Sequence, residues 1–235
     1  MKHEHLPPPY GRSATRLRWV AAALAAALAL GCDRRPSKGP SGAFRTAQTT
    51  TEVAAAAKPS VAALTLVDKA GKNCGAGTGF FIEGGRLVTN WHVAGLGRGG
   101  TGRLPDGTTF GLVAVVAEDR ASDLAILTTD LPEGAVTGLP LLSTPPPEGT
   151  DVLVIGNPLG LGQAVSDGIV SATVGPNGEA GLIRITAPIS PGSSGSPVLD
   201  HQAKVIGVVS GMLTGGQNLN IAVSADRVLA LRGME

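Results

Sequence analysis

Short apolar runs separated by turn residues make up most of the chain from Val61 onward. Glycine, proline, asparagine or aspartate stands between successive runs, and this alternation is typical of strands joined by turns. We count about eleven such runs: VAALTLV, TGFFI, RLVTN, TTFGLVAVV, LAIL, DVLVIG, GIVSATV, LIRITA, PVLD, KVIGVVS and LNIAV. Segments with a helical repeat long enough to connect parallel strands are scarce, so the pattern favours an antiparallel sandwich or a pair of barrels.

The proline-rich stretch PLLSTPPPEGT, at residues 140–150, divides this strand pattern into two halves. Three consecutive prolines favour an extended connector over a strand or a helix. We therefore expect one barrel over about residues 58–140 and a second over about 150–225, within a domain that spans residues 55–235. The last segment, SADRVLALRG, predicts a short C-terminal helix capped by Ser224.

The first 31 residues predict a signal peptide of the lipoprotein type. A basic region with Arg12, Arg16 and Arg18 precedes the apolar run WVAAALAAALAL, which is short for a bilayer span. The run ends in ALGC, which resembles the lipobox of bacterial lipoproteins, and this resemblance implies that Cys32 carries a lipid. We therefore expect an exported protein of the cell envelope or periplasm that is lipid-anchored to a bacterial membrane. The alternatives are an ordinary cleaved signal and a short membrane anchor.

Residues 32–54 are polar and rich in serine, threonine, glycine and proline, and they predict a flexible linker. With Cys32 lipidated, Cys74 has no cysteine partner in the chain, and we expect it to be a small buried apolar residue. Without the lipid, a Cys32–Cys74 disulfide is the alternative.

Composition limits the classes of function. The 235 residues are 43% hydrophobic and 16% charged, which suits one substantial globular unit or two small ones. A net charge of +1 without a basic stripe argues against nucleic acid as a partner. No cluster of His, Cys and Asp has metal-ligand spacing, so we predict neither a metal site nor a cofactor. The stretch GLGRGG, residues 95–100, precedes a turn instead of a helix, which argues against a dinucleotide site.

The stretch ISPGSSGSPVLD, residues 189–200, is the first candidate for chemistry. A serine hydroxyl becomes nucleophilic only with a nearby base, and it needs backbone N–H groups aimed at the developing oxyanion. Gly192 and Gly195 stand on either side of Ser194 and let backbone amides turn toward a substrate. Taken alone, this segment could equally be a solvated serine-rich turn.

The rest of the chain offers a base and an acid in a recognisable order. His92 lies at the end of an apolar strand, whereas His201 lies in a polar turn and is expected to be exposed. Asp123 leads directly into the apolar strand LAIL, where a partly buried acid needs a partner such as an imidazole N–H. The order His92, Asp123, Ser194 matches chymotrypsin-type triads and differs from the orders of α/β-hydrolases and subtilisins.

Seven motifs in collinear order resemble the HtrA/Deg group of trypsin-like serine proteases: GTGFFIEGGRLVTNWHV, SDLAIL, VIGNPLGL, GIVSA, PGSSGSPVLD, KVIGVVS and QNLNIAV. The resemblance spans about residues 58–231 and implies an all-β fold of two six-stranded antiparallel Greek-key barrels, with the active site between them. It implies His92 as general base, Asp123 as the acid that orients it, and Ser194 as nucleophile.

The resemblance also predicts an oxyanion hole in the backbone of Gly192, Ser193 and Ser194, with the N–H groups of the first and last as donors. The residues expected to bind substrate are Pro188, Ile189, Ser210, Gly211 and Met212. Ser210 is further expected to hydrogen-bond Asp123, as its family counterpart does. No acidic residue lies at the base of this region, so a basic P1 side chain would be unpaired. We therefore expect a small or medium aliphatic P1 residue.

Three features depart from the family pattern. Ser193 stands where HtrA proteins usually have asparagine, and Ser196 stands where they have glycine. HtrA proteins usually carry PDZ domains after the protease, and we expect none in this chain. The leading hypothesis is an exported serine endopeptidase that acts on unfolded or damaged proteins, with a homotrimer as the assembly that the resemblance suggests. The departures motivate a second hypothesis, a catalytically weak module that binds or holds proteins.

Overall fold

Two closed barrels make up the fold. This computed structural model describes residues 48–158, 161–213 and 218–234, and the strands within them form two antiparallel barrels of six strands each. Barrel 1 consists of β1 (Val61–Val67), β2 (Asn73–Ile82), β3 (Arg86–Thr89), β4 (Gly99–Arg103), β5 (Thr109–Asp119) and β6 (Leu124–Thr129). Barrel 2 consists of β7 (Asp151–Gly156), β8 (Ala164–Ala172), β9 (Leu182–Ile185), β10 (Pro197–Leu199), β11 (Val205–Met212) and β12 (Asn220–Ser224). The expected all-β class with two six-stranded antiparallel barrels is confirmed.

Both barrels have the same strand order. Neighbouring strands run β1-β2-β3-β6-β5-β4 in barrel 1 and β7-β8-β9-β12-β11-β10 in barrel 2. Because β3 pairs with β6, Thr89 at the end of β3 lies opposite Ala125 at the start of β6. The short helix α2 (Trp91–Ala94) after β3 and the turn before β6 therefore meet at one edge of barrel 1.

Strand β4 was missed in the sequence pattern because it is rich in glycine. Its segment Gly99–Arg103 overlaps the stretch that matched a dinucleotide motif and that we expected to lead into a turn. A side-chain carbon at Gly102 would run into the ring of Phe110, and one at Gly100 would lie 2.5 Å from the carbonyl oxygen of Thr65. Close packing against these neighbours, instead of apolar alternation, determines this strand.

The domain begins earlier than expected. Residues 50–54 were predicted to belong to a flexible linker, but helix α1 (Thr50–Ala57) covers them. Thr49 and Glu52 form a capping box at its start, and Val53 is buried on its inner face. Gln48 is bonded to barrel 2, since its N–H donates to the carbonyl oxygen of His201 at 3.1 Å. The predicted signal peptide, Cys32 and the earlier part of the linker lie outside the described residues.

Three buried apolar clusters stabilise the domain. One lies in barrel 1 around Phe81, and one lies in barrel 2 around Ile183. The third is shared, because Phe80 of barrel 1 packs in the same cluster as Ile155 and Leu199 of barrel 2. Each fully buried side chain of this size stabilises the fold by about 1.5–3 kcal/mol. The shared cluster therefore holds the two barrels together as one unit.

Helix α3 (Ala225–Arg232) follows β12 directly and packs Val228 and Leu231 into the shared cluster. Ser224 occupies the N-cap position as expected, but its hydroxyl makes no capping hydrogen bond. At the other end of the domain, residues 58–60 form a single 3₁₀ turn between α1 and β1. Among the described residues, no helix has the length and apolar character needed to cross a membrane.

Candidate active site

His92 and Asp123 are joined by three short contacts where β3 and β6 meet. The ring Nδ1 of His92 lies 2.8 Å from Oδ2 and 2.9 Å from Oδ1 of Asp123. The backbone N–H of His92 also donates to Asp123 Oδ1, at 2.9 Å. Because an ionised carboxylate only accepts hydrogen bonds, Nδ1 carries the proton and Nε2 is left as the basic nitrogen.

The turn between β5 and β6 presents Asp123 to the histidine. Asp119 Oδ1 accepts the N–H groups of Ala121 at 3.0 Å and Ser122 at 3.1 Å, which closes the turn. Asp123 has a φ of 55°, a left-handed conformation that aspartate tolerates better than most residues. Buried Asn90 donates from Nδ2 to the backbone carbonyl of Asp123 at 3.0 Å. The backbone of Asp123 is thus held in place as well as its carboxylate.

Ser210 reaches Asp123 from barrel 2. The β11–β12 register shifts between Val209 and Gly211, so Ser210 is the extra residue of a bulge. Its hydroxyl donates to Asp123 Oδ2 at 2.6 Å, the contact expected from the sequence. Burial of the Asp123 carboxyl opposes its ionisation, but hydrogen bonds from His92 and Ser210 outweigh this effect and hold the pKa of Asp123 below its usual value.

The loop before β10 carries Ser194. Gly192 and Gly195 in this loop have φ angles of 95° and 84°, which residues with side chains rarely adopt. The N–H of Ser193 donates to the carbonyl oxygen of Ser190 at 2.9 Å, so Ser193 is not a donor of the predicted oxyanion hole. The N–H groups of Gly192 and Ser194 have no acceptor within the described part of the chain. Two unpaired amides at this spacing are what an oxyanion hole requires.

Gly77 lets helix α2 and the Ser194 loop approach each other. A side-chain carbon at Gly77 would lie 2.7 Å from the side chain of Val93 and 3.4 Å from the carbonyl oxygen of Ser194. The N–H of Thr78 donates to that same carbonyl oxygen at 2.9 Å. Within the described residues no hydrogen bond joins the His92 ring to the Ser194 hydroxyl, and such bonds often tighten only when substrate binds.

The family model described as a trypsin-like peptidase domain matches residues 77–208, which include His92, Asp123 and Ser194. The chain belongs to this family. The match covers more than half of the chain and runs through both barrels.

Relatives of this trypsin-like peptidase domain include proteases of the HtrA and DegP type. The chain is 35% identical over 161 residues to the mitochondrial serine protease HTRA2 of Bos taurus, covering 65% of this chain and 34% of that protein. It is 35% identical over 152 residues to a probable periplasmic serine endoprotease, DegP-like, of Brucella suis, covering 62% and 29%. The solved structure of the HtrA-type protease AlgW with a tripeptide superposes with a TM-score of 0.70 at 28% identity, covering 79% of this chain and 62% of that one.

The trypsin-like peptidase domain corresponds to only part of its relatives. The chain covers 29% to 34% of the length of the two relatives just described. The similarity therefore concerns the barrels and the site between them.

The two unusual serines of this peptidase domain are accommodated locally. The Ser193 hydroxyl accepts the N–H of Ser190 at 3.3 Å. Ser196 is fully buried, and its hydroxyl has no partner among the described residues. A side-chain carbon at Gly156 would lie 2.5 Å from that hydroxyl oxygen. Glycine at position 156 therefore leaves the space that Ser196 occupies.

The predicted substrate-binding residues Pro188 and Ile189 lie just before the Ser194 loop. The hydroxyl of Ser166 donates to the Pro188 carbonyl at 2.7 Å, which fixes this segment against β8. A cavity of about 170 Å³ beside the loop is lined by Pro188, Ile189 and seven other uncharged residues of barrel 2. A charged side chain entering this cavity would find no residue of opposite charge on its walls.

The predicted substrate-binding residues Gly211 and Met212 lie at the end of β11. They pair with β12 on one side, whereas the pairing of β11 with β10 ends at Val208. The other edge of Gly211 and Met212 is therefore open in the described ladder, and half of the Met212 side chain is exposed. An extended peptide could add to this edge as a further strand.

Three residues with direct roles in the site geometry were missed in the sequence. Asp119 lies among polar residues in the sequence, and it closes the turn before Asp123. Asn90 directly precedes the Trp91–His92 pair, and a polar residue at the buried end of a strand was an available signal. Thr78 contacts residues 79 and 114 positions away, which no local pattern indicates. The described residues contain no group of three or more side chains suited to hold a metal ion.

Proposed function

We propose that this domain is a serine endopeptidase of the HtrA type that hydrolyses peptide bonds in unfolded or damaged proteins. The observation that carries the proposal is the bonded set His92–Asp123–Ser210 beside a serine loop with two unpaired amides. The names of the bovine and Brucella relatives, both serine proteases, support the same reaction.

Acylation starts at the Ser194 hydroxyl. His92 Nε2 takes the hydroxyl proton while Ser194 Oγ bonds to the carbonyl carbon of the scissile peptide. Asp123 accepts Nδ1–H and stabilises the imidazolium that forms, and its lowered pKa keeps it ionised for this role. The N–H groups of Gly192 and Ser194 donate to the carbonyl oxygen as it becomes negatively charged.

Collapse of the tetrahedral intermediate breaks the C–N bond. The leaving amine takes the proton from His92 and departs, which leaves an ester between the substrate acyl group and Ser194. In the second half-reaction His92 removes a proton from water, and the resulting hydroxide attacks the ester carbonyl. The proton then returns from His92 to Ser194 Oγ, and the free carboxylic acid leaves.

The expected P1 residue is small or medium and aliphatic. Pro188 and Ile189 are apolar, and the cavity beside them has uncharged walls. The open edge at Gly211 and Met212 supports binding of substrate in an extended conformation, which an unfolded segment can adopt. This binding mode favours protein substrates that are locally unfolded.

Export and lipid anchoring complete the proposal. The signal-like residues 1–31 and the lipobox cysteine Cys32 support anchoring to a bacterial membrane, and the periplasmic name of the Brucella relative supports export. Metabolic labelling with a fatty-acid analogue should mark the wild type and not Cys32→Ala.

The proposed homotrimer rests on the resemblance to the HtrA group. Light scattering of the purified protein measures its molar mass and so tests this assembly.

Labelling of Ser194 by a fluorophosphonate probe tests the proposed activity. The wild type should become labelled and should degrade a loosely folded protein, and Ser194→Ala should lose both properties. Loss of a triad member typically lowers kcat by about 10³-fold or more. A folded wild type that is neither labelled nor active would instead indicate the second hypothesis, a protein-binding module. Equal degradation by wild type and Ser194→Ala would contradict the assignment of the nucleophile.

A further inference from the structure

Thr78 is a fully buried residue of β2 whose hydroxyl contacts barrel 2 twice. The hydroxyl donates to the carbonyl oxygen of Gly192 at 2.8 Å and accepts the N–H of Asn157 at 3.1 Å. A threonine hydroxyl has a single proton to donate. Because the Asn157 N–H must point at a lone pair, the Thr78 proton is directed at Gly192.

The backbone of Thr78 holds the same loop at a second point. Its N–H donates to the carbonyl oxygen of Ser194 at 2.9 Å. Thr78 therefore binds the carbonyl groups on both sides of Ser193, one through its backbone and one through its side chain. Removal of the hydroxyl breaks one of these bonds and leaves the other in place.

The hydroxyl bond fixes one peptide plane of the oxyanion loop. A peptide unit is planar, so the carbonyl of Gly192 and the N–H of Ser193 turn together. Thr78 binds the carbonyl, and the carbonyl oxygen of Ser190 accepts the N–H. With both ends bonded, this plane cannot rotate to bring the Gly192 carbonyl toward the bound substrate. A carbonyl in that position would repel the oxyanion that the Gly192 and Ser194 amides are meant to bind.

We propose that Thr78 is a positioning residue for the oxyanion hole. Its hydroxyl holds the Gly192–Ser193 peptide in the orientation that leaves the Gly192 and Ser194 amides free for the tetrahedral intermediate. Asn157, which directly follows β7, orients that hydroxyl, so Thr78 of barrel 1 and the loop after β7 together fix the orientation of this peptide. This inference rests on the proposed endopeptidase function.

Thr78→Val is the direct test, because valine keeps the shape and the backbone N–H but has no hydroxyl. Removal of one oxyanion donor typically lowers kcat about 10²–10³-fold, and we expect a loss of about 10-fold for misorientation of a donor. KM for a fluorogenic peptide with valine at P1 should stay unchanged, and Thr78→Ser should restore kcat. Fluorophosphonate titration counts the competent sites, so that kcat refers to folded protein. If Thr78→Val does not fold, Thr78→Ala is compared with Thr78→Ser in the same way.

Thr150→Val is the matched control, since the Thr150 hydroxyl donates to the carbonyl of Pro147 at 2.7 Å in the turn before β7. It should keep the wild-type kcat. An active wild type with unchanged kcat in the hydroxyl-free Thr78 variant would overturn the role of Thr78 and leave the endopeptidase function standing. A rise in KM at constant kcat would overturn it as well. An inactive wild type would overturn the endopeptidase function itself.

Discussion

The two barrels share a strand order but contribute to the site by different means. In barrel 1, His92 and Asp123 lie at adjacent strand ends and are bonded to each other directly. In barrel 2, Ser194 lies in a loop shaped by the positive φ angles of Gly192 and Gly195 and held by Thr78. The base is assembled through side-chain bonds, whereas the nucleophile is placed through backbone conformation.

The two halves should therefore fail under different changes. Removing or altering a side chain should disable the half of the active site that barrel 1 contributes, the His92–Asp123 pair. Adding a side chain should disable the half that barrel 2 contributes, the Ser194 loop, because a Cβ restricts the backbone at positive φ. Ser210 is the contact that links them, since it comes from barrel 2 and binds the acid of barrel 1.

Asp123→Asn breaks the half in barrel 1 and has the largest expected effect. The asparagine amide can donate to His92 Nδ1, which favours the wrong tautomer and leaves Nε2 protonated. We expect kcat to fall about 10³–10⁴-fold, as for the equivalent change in other triads. Asp130→Asn is the control. Asp130 lies just after β6, its carboxylate accepts the N–H of Gly111, and none of the hydrogen bonds among the described residues joins it to His92. An equal loss in the control would point to unfolding instead of a defective base.

Gly192→Ala breaks the half in barrel 2. A Cβ at a φ of 95° strains the backbone by about 1–3 kcal/mol, and relaxation of the loop should move the amide out of position. We expect kcat to fall about 10²-fold, the typical cost of one oxyanion donor. Gly107→Ala is the control, because Gly107 has a φ of 92° in the turn between β4 and β5 with open space around it. The control should lose stability and keep kcat, and a drop in both would contradict the comparison.

Ser210→Ala tests the link between the barrels through its pH dependence. The pKa of Asp123 is lowered in the folded state, so its stabilisation is present above the unfolded value of about 3.9 and is lost as pH falls through the folded pKa. At pH 7 the substitution should destabilise the domain by about 1.5–3 kcal/mol, the range for a hydrogen bond to a charged group. This difference should shrink as the pH falls below 4, as urea unfolding at several pH values would reveal.

Ser60→Ala is the reference for that measurement. The buried Ser60 donates to the neutral carbonyl of Thr137 at 2.6 Å, so the stability lost on its removal should not vary with pH. Parallel pH profiles for the two variants would mean that Ser210 does not act through the ionised Asp123.

Regular strands and the order of the triad residues could be read from the sequence because both depend on local signals. Apolar runs and turn residues mark every described strand except β4, where glycines make room for Phe110. The helix α1 was missed because its signal, the capping box of Thr49 and Glu52, lies in a segment that otherwise looks like a linker. The cap and the buried residues Val53 and Ala57 stabilise this helix against the domain.

The contacts that shape the oxyanion loop could not be read in this way. Thr78 is 114 positions from Gly192 and 79 from Asn157, and nothing near it distinguishes its hydroxyl from any other. Asn90 and Asp119 likewise act through the backbone around Asp123, and such contacts depend on the folded path of the chain. The residues that react can be identified from short sequence motifs. Their orientation cannot, because it depends on contacts between residues that are far apart in the sequence.

The attachment of Gln48 has a mechanical consequence. Its N–H and carbonyl both bond to His201, in the turn after β10, and Val53 is buried in the core shared by the barrels. A force applied to the chain before Gln48 would therefore be transmitted to the domain first at this turn. The Ser194 loop lies at the opposite end of β10, about 10 Å away by the rise of a three-residue strand. Tension on the N-terminal side would thus reach the turn after β10 and the shared core, and the length of β10 separates both from the catalytic loop.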